Sequence, residues 1–222
     1  METQQRVVRR SRLFSTFIRS LAGVSIALLV FAIVQKNLPG SATGWPWKLQ
    51  LLDVPTATTA TLGTVGAVIA RAQFARSVQP VLSCEGQVVA NLAPNGVLVW
   101  RCTITNAASS VAVVTDACYW VELAPGAGPA PQRWLTHGET VELLTSLHQT
   151  PYKDFSLALT STGAAYAPQA HIEAGWFTAK TMDVVADAFM RIRVSDRAGD
   201  IHERTLSLLK GAIRHPRQPS IL

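Results

Sequence analysis

The sequence predicts two unlike parts: an N-terminal transmembrane α-helical hairpin over residues 1–76 and a mainly-β sandwich over 77–209, followed by a basic tail at 210–222. Three observations predict it. Residues 21–34 are an almost unbroken apolar run behind Arg6, Arg9, Arg10 and Arg12; a threonine-rich apolar stretch then ends at Arg71 and Arg76; and from Ser77 onward short alternating segments replace the long runs.

Taken from Phe14 to Gln35, the first run has about the 20 apolar residues that carry a helix across roughly 30 Å of hydrocarbon. Arg19, its one charge, lies at the basic end, where its stem can stay in lipid while the guanidinium reaches the headgroups. Basic flanks mark the cytoplasmic side, so Arg9, Arg10 and Arg12 assign the N-terminus to the cytoplasm. The rival reading is a cleaved signal peptide, with Gly40 and Ala42 as the small residues of a processing site. A run this long exceeds the roughly 7 to 15 residues of a signal core, and Lys36 and Pro39 interrupt the approach.

A connection over 36–50 contains Pro39, Gly40, Gly44 and Pro46, and its Trp45 and Trp47 suit the membrane interface. The second span, 51–70, is weaker: Asp53 and Pro55 open it and five threonines dilute it, although a threonine hydroxyl can return to a backbone carbonyl within a helix. Gly63, Ala67 and Ala70 offer a small-residue seam for helix packing, within the chain or between copies. Arg71 and Arg76 then mark a return to the cytoplasm. A Thr/Ala-rich linker or a soluble helix is the alternative for this stretch.

Charge divides along the same line. Before residue 77, nine Lys and Arg face Glu2 and Asp53, a net +7, whereas beyond it eleven basic residues face twelve acidic ones. The overall +6 belongs to the membrane part. It does not form a groove that tracks phosphates, so nucleic acid is not an expected partner. The tail, with Lys210, Arg214, His215 and Arg217, could lie on anionic lipid or be a free terminus.

Strand signals follow. In 97–105, Leu98, Trp100, Cys102 and Ile104 alternate with Arg101, Thr103 and Thr105, as in a half-buried antiparallel strand. Residues 111–123 repeat the pattern with Ala117, Tyr119, Val121 and Leu123 on one face. After a Pro/Gly-rich loop at 124–132, further strands are expected at 139–146 and 155–160, and a hairpin joins 189–195 to 201–209 through a turn at 196–200. Six to eight such strands make two packed antiparallel sheets.

The strand ending Arg101-Cys102-Thr103-Ile104-Thr105-Asn106, with its polar turn and following apolar strand, is similar to the strand-Asn-turn edge of bacterial immunoglobulin-like modules. The whole layout resembles actinobacterial membrane proteins that pair a helical hairpin with such a domain, and 15 Arg against five Lys fit a GC-rich genome. That resemblance implies an immunoglobulin-like sandwich, and fold alone does not choose among binding, scaffolding and structural roles.

No catalytic constellation stands out. The five histidines are scattered, Asp183 and Asp187 could share a helix face as a solvated pair, and Ser161 makes only half of a nucleophile elbow. Neither a metal nor a cofactor is expected. Cys84, Cys102 and Cys118 are an odd set: all can stay thiols in a reducing cytoplasm, while an external domain would suggest a Cys84–Cys102 bridge. Tyr152, Phe155 and Trp176, near turns, are candidates for an exposed contact surface, with core packing as their other reading. The expectation is therefore a non-catalytic, multi-pass inner-membrane subunit with both termini cytoplasmic. Its expected partners are the lipid bilayer and a protein, or a second copy through the hairpin. A single-pass envelope protein with an external sandwich is the alternative, and an enzyme with a site assembled from loops is the third.

Overall fold

A computed structural model describes residues 5–10, 12–38 and 53–216; Trp45, Trp47 and Arg217 lie outside the described residues. The chain divides into two units, Arg10–Ser77 and the remainder, the latter including the short segment ahead of the helices.

The helical unit consists of α1 (Arg12–Asn37) and α2 (Val54–Ser77). Within α1, Thr16–Asn37 is long and apolar enough to cross a membrane, the one such helix among the described residues. Asp53 caps α2, accepting from the Thr56 amide at 3.2 Å. Thr58, Thr59, Thr61 and Thr64 each donate to the carbonyl four residues back at 2.8–3.0 Å, so their hydroxyls leave no unmet donor on the helix surface. The two helices pack through Ser25 and Thr64, whose hydroxyls lie 3.0 Å apart and buried, with Thr61 reaching the Ser25 carbonyl at 3.3 Å. Ala57, Thr61 and Thr64 form the face of α2 turned toward α1, while Gly63, Ala67 and Ala70 are exposed on another face of the helix.

The β unit has two antiparallel sheets. One orders β1 (Arg6–Arg9), β9 (Ile201–Ser207), β8 (Val185–Ser195), β4 (Ala112–Leu123) and β6 (Ala165–Tyr166); the other orders β2 (Leu82–Val89), β3 (Val99–Asn106), β7 (His171–Thr178) and β5 (Phe155–Leu157). Their inner faces share one core, with Trp100, Ile104 and Phe177 from one sheet against Tyr119, Met190 and Leu206 from the other. Trp100 lies over Gly86, where a Cβ would come within 1.9 Å of the indole, and its Nε1 donates to the Leu208 carbonyl at 2.9 Å. Gly175 serves a close approach of a different kind: at φ +149° its missing Cβ would stand 2.3 Å from the Ser156 carbonyl oxygen.

Residues 139–146 are not a strand but part of α3 (His137–Ser146). Thr136 and Glu139 close a reciprocal capping box there, which favours helix over strand at this point. The strand expected over 155–160 stops at Leu157. Asp183 and Asp187 share no helix face, because α4 (Ala179–Val184) ends between them and Asp187 belongs to β8.

Asn106 is where the sheets are pinned at one end. Wholly buried, it donates through Nδ2 to the carbonyls of Ser110 (2.8 Å) and Tyr166 (3.0 Å) and accepts from the Ala108 amide at 3.3 Å. The tail does not leave the domain at residue 210: Arg214 donates to the carbonyls of Met182, Val185 and Ala186, capping the end of α4.

Candidate functional site

The feature with most consequence for function is strand β1. It precedes both helices in sequence, yet it pairs antiparallel with β9, which follows them: Arg6 opposes Glu203, Val7 opposes His202 and, past a bulge, Arg9 opposes Ile201. Four exposed residues have little of their own to bury, and an isolated strand of that length is not stable. A ladder of alternating charge holds it. Across β4, β8, β9 and β1 run Asp116, Arg193, Glu203 and Arg6, each opposite the next. Arg193 lies 3.5 Å from Asp116 and its Nε donates to Glu203 at 2.7 Å, while Arg6 grips the other Glu203 oxygen through Nε (3.2 Å) and Nη2 (2.7 Å). Burial works against the Glu203 carboxylate, but Arg6 and Arg193 outweigh it and hold its pKa below the ordinary value. Gln5 adds a second clasp: its Nε2 donates to the Pro80 carbonyl and its Oε1 accepts from the Leu82 amide at 3.1 Å.

On the same outer face, Trp120 and Trp134 meet with ring centroids 6.0 Å apart, and the Arg191 guanidinium lies 4.7 Å over Trp134. Of the aromatic residues expected at a contact surface, Tyr152 is 76% exposed, but Phe155 and Trp176 are core residues at 1% and 5%. A bulge interrupts β7 opposite Cys102 and Thr103 and hides the alternation around Trp176, and Phe155 opens the three-residue β5 directly after a turn.

The described residues hold no cluster of three or more His, Cys, Asp or Glu able to bind a metal. The histidines are dispersed: His137 contacts the Leu157 carbonyl, His171 contacts Thr105, His202 pairs with buried Asp196 at 2.9 Å, and His215 lies 3.3 Å from Asp183. No disulfide joins Cys84, Cys102 or Cys118. The adjacent Cys84 thiol and burial push the Cys102 thiol up, and burial does the same for Cys118, so neither is primed as a thiolate nucleophile. A void beneath α3, lined by Tyr119, Leu144, Phe177 and Ala188, is apolar.

The topology residues divide between the units. Arg9 belongs to β1, Arg10 and Arg12 lead into α1, and Arg71 and Arg76 occupy the last turns of α2. Compared with known proteins, the chain matches no family model and no curated sequence.

Proposed function

We propose that this chain is a two-span cell-membrane protein, with an immunoglobulin-like sandwich on the cytoplasmic side together with its N-terminus. It acts non-catalytically, as an anchored binding or accessory subunit for a protein partner or a second copy of itself. The pairing of β1 with β9 carries this reading. Backbone strands do not hydrogen-bond across hydrocarbon, so if α1 crosses the bilayer the chain must return before β2, and α2 is the element available to bring it back.

Other observations support the hairpin. Between the arginine-bearing end and the connection, residues 20–37 and 54–70 each rise about 26 Å, close to one hydrocarbon thickness. The internally satisfied threonines make α2 less costly in lipid than its side-chain composition suggests. The strand orders β2-β3-β7-β5 and β4-β8-β9 correspond to ABED and CFG of an immunoglobulin sandwich, with β6 and β1 as additions at the edges. Arg9, Arg10, Arg12, Arg71 and Arg76 all flank the same end of the hairpin, which favours the cytoplasm for that end.

The mechanism is confinement: a module tied to the bilayer meets membrane-bound partners at raised effective concentration, so modest contacts suffice. Exposed Tyr152 and the Trp120–Trp134–Arg191 stack have the composition of interface anchors. The single-pass alternative, with an external sandwich, requires β1 and β9 on opposite sides of the membrane. Reporter fusions after Arg76 and at Leu222 test the proposal. Cytoplasmic fluorescence at both supports it, and periplasmic phosphatase activity at either refutes it.

A further inference from the structure

The outer edge of β9 holds a strand that reaches the sandwich from beyond two helices in sequence. Residues 10–11 join β1 to α1, and residues 78–81 join α2 to β2. The second connection is fastened to the sandwich: the Ser110 hydroxyl donates to the Val78 carbonyl at 2.6 Å and the Ala107 amide to the Val81 carbonyl at 2.8 Å. β1 is held more lightly. All four of its residues are exposed, and the side-chain contacts described around it are Arg6 on Glu203 and the Gln5 carboxamide on Pro80 and Leu82. Glu203 gives one oxygen to Arg193 and turns the other to the guanidinium that the edge strand brings.

We propose that the β9 edge takes β1 from a second copy of this chain by reciprocal strand exchange, so that Arg6 of each copy grips Glu203 of the other. The inference rests on the two-span reading, which puts β1 and the β9 edge of every copy on one side of the membrane, and it names the contact that joins two copies. Charge selects the occupant: β1 carries Arg6 and Arg9, and the edge presents the one open carboxylate oxygen of Glu203. An exchanged strand keeps the register and the ion pairs of the strand it replaces, so the balance is set by connection length and concentration rather than by contacts. Short connections favour exchange, and confinement to one bilayer raises the concentration of second copies. Four exposed residues at a sheet edge open at low free energy, which lets β1 leave without unfolding the sandwich.

The test co-expresses two differently tagged full-length copies in one membrane, one carrying R9C and the other I201C, positions directly opposite in the β1–β9 register. Mild oxidation of the membranes, followed by gel separation without reductant, reads covalent pairs of unlike copies. The expected result is such a pair, in excess over R9C against Y152C, an exposed loop position that reports random collision. It should also exceed the yield of either variant against the unsubstituted chain with its native cysteines. Adding R6Q to the R9C copy should lower the yield about fivefold. A yield no higher than that of random collision overturns the exchange, as does one that R6Q leaves unchanged. R9C/I201C in a single chain separates the two ideas. Closure within that chain, with no pair between copies, overturns the exchange and leaves the two-span reading standing, whereas no bridge of either kind overturns both.

Discussion

Replacing Glu203 with Gln should release β1 from the sheet. The carboxylate is buried, with 6% of its side chain exposed, and it receives three charge-assisted hydrogen bonds from two guanidiniums. A carboxamide keeps one accepting oxygen and turns an N–H pair toward an arginine, so at least one guanidinium loses its partner. Charge-assisted bonds contribute about 1.5–3 kcal/mol each where partners are buried. The Arg6 side chain is 72% exposed, which limits its share to about 1 kcal/mol. The expected cost is therefore about 2–3 kcal/mol, of which Arg6→Gln alone should reproduce about 1. Hydrogen exchange on the full-length protein in detergent reads this directly: exchange across Arg6–Arg9 should accelerate about thirtyfold in Glu203→Gln and about fivefold in Arg6→Gln. The sign with pH follows from the depressed Glu203 pKa. Its contribution is complete above the ordinary carboxylate value near 4.3 and is lost as pH falls through the lower folded value. Unchanged exchange in 6–9 alongside a lowered global stability would refute the idea that this ladder holds the strand.

Asn106→Ala should cost about 2–4 kcal/mol in denaturant unfolding, because it orphans two buried carbonyls and one amide at once. Gly86→Ala should displace the Trp100 indole, shifting tryptophan emission and lowering stability by about 1–3 kcal/mol through overpacking. Gly175→Ala should be worse, since its Cβ meets backbone rather than a movable ring and its φ is positive; loss of folded protein in the detergent extract or of cooperative unfolding is the expected readout. Thr136→Ala should destabilise α3 by about 1 kcal/mol by removing its N-cap. Arg133 and the Thr136 amide and hydroxyl hold the Glu139 carboxyl at about 2, so the start of α3 should stay capped down to the ordinary glutamate range and fray as pH falls from there toward 2, visible as amide shifts at 136–140.

Much of the β unit was legible because its central strands alternate. The Trp100-Cys102-Ile104 and Tyr119-Val121 faces are buried, and the hairpin around 196–200 joins β8 to β9. Two elements were hidden for specific reasons. β7 carries a bulge beside Gly175 and is covered on both faces, Phe177 lying in the main core and Trp176 packing with Ala93 and Val99, so the period of two disappears. β1 is invisible locally, because a four-residue Arg-Val-Val-Arg segment becomes a strand only through a partner nearly two hundred residues away. α3 has a sequence signal that competes with the strand pattern: Thr136 followed by Glu139 three residues later is a helix start, and Val141, Leu143 and Leu144 suit a helix face as well as a strand. The face of α2 that turns toward α1 is that of Ala57, Thr61 and Thr64, because hydroxyl pairing at Ser25 fixes it, a contact that small-residue spacing alone does not reveal; Gly63, Ala67 and Ala70 are left exposed.

The claim on which the account turns is that β1 and the sandwich lie on one side of a bilayer that the intervening chain crosses twice. Single cysteines at Val8, Ser41 and Arg197, probed with a membrane-impermeant maleimide in spheroplasts and compared with the unsubstituted parent, address it directly. The account predicts labelling at position 41 in intact spheroplasts, and at 8 and 197 only after permeabilisation. Labelling at 197 but not at 8 in intact spheroplasts would contradict it, because strands on opposite sides of a membrane cannot pair.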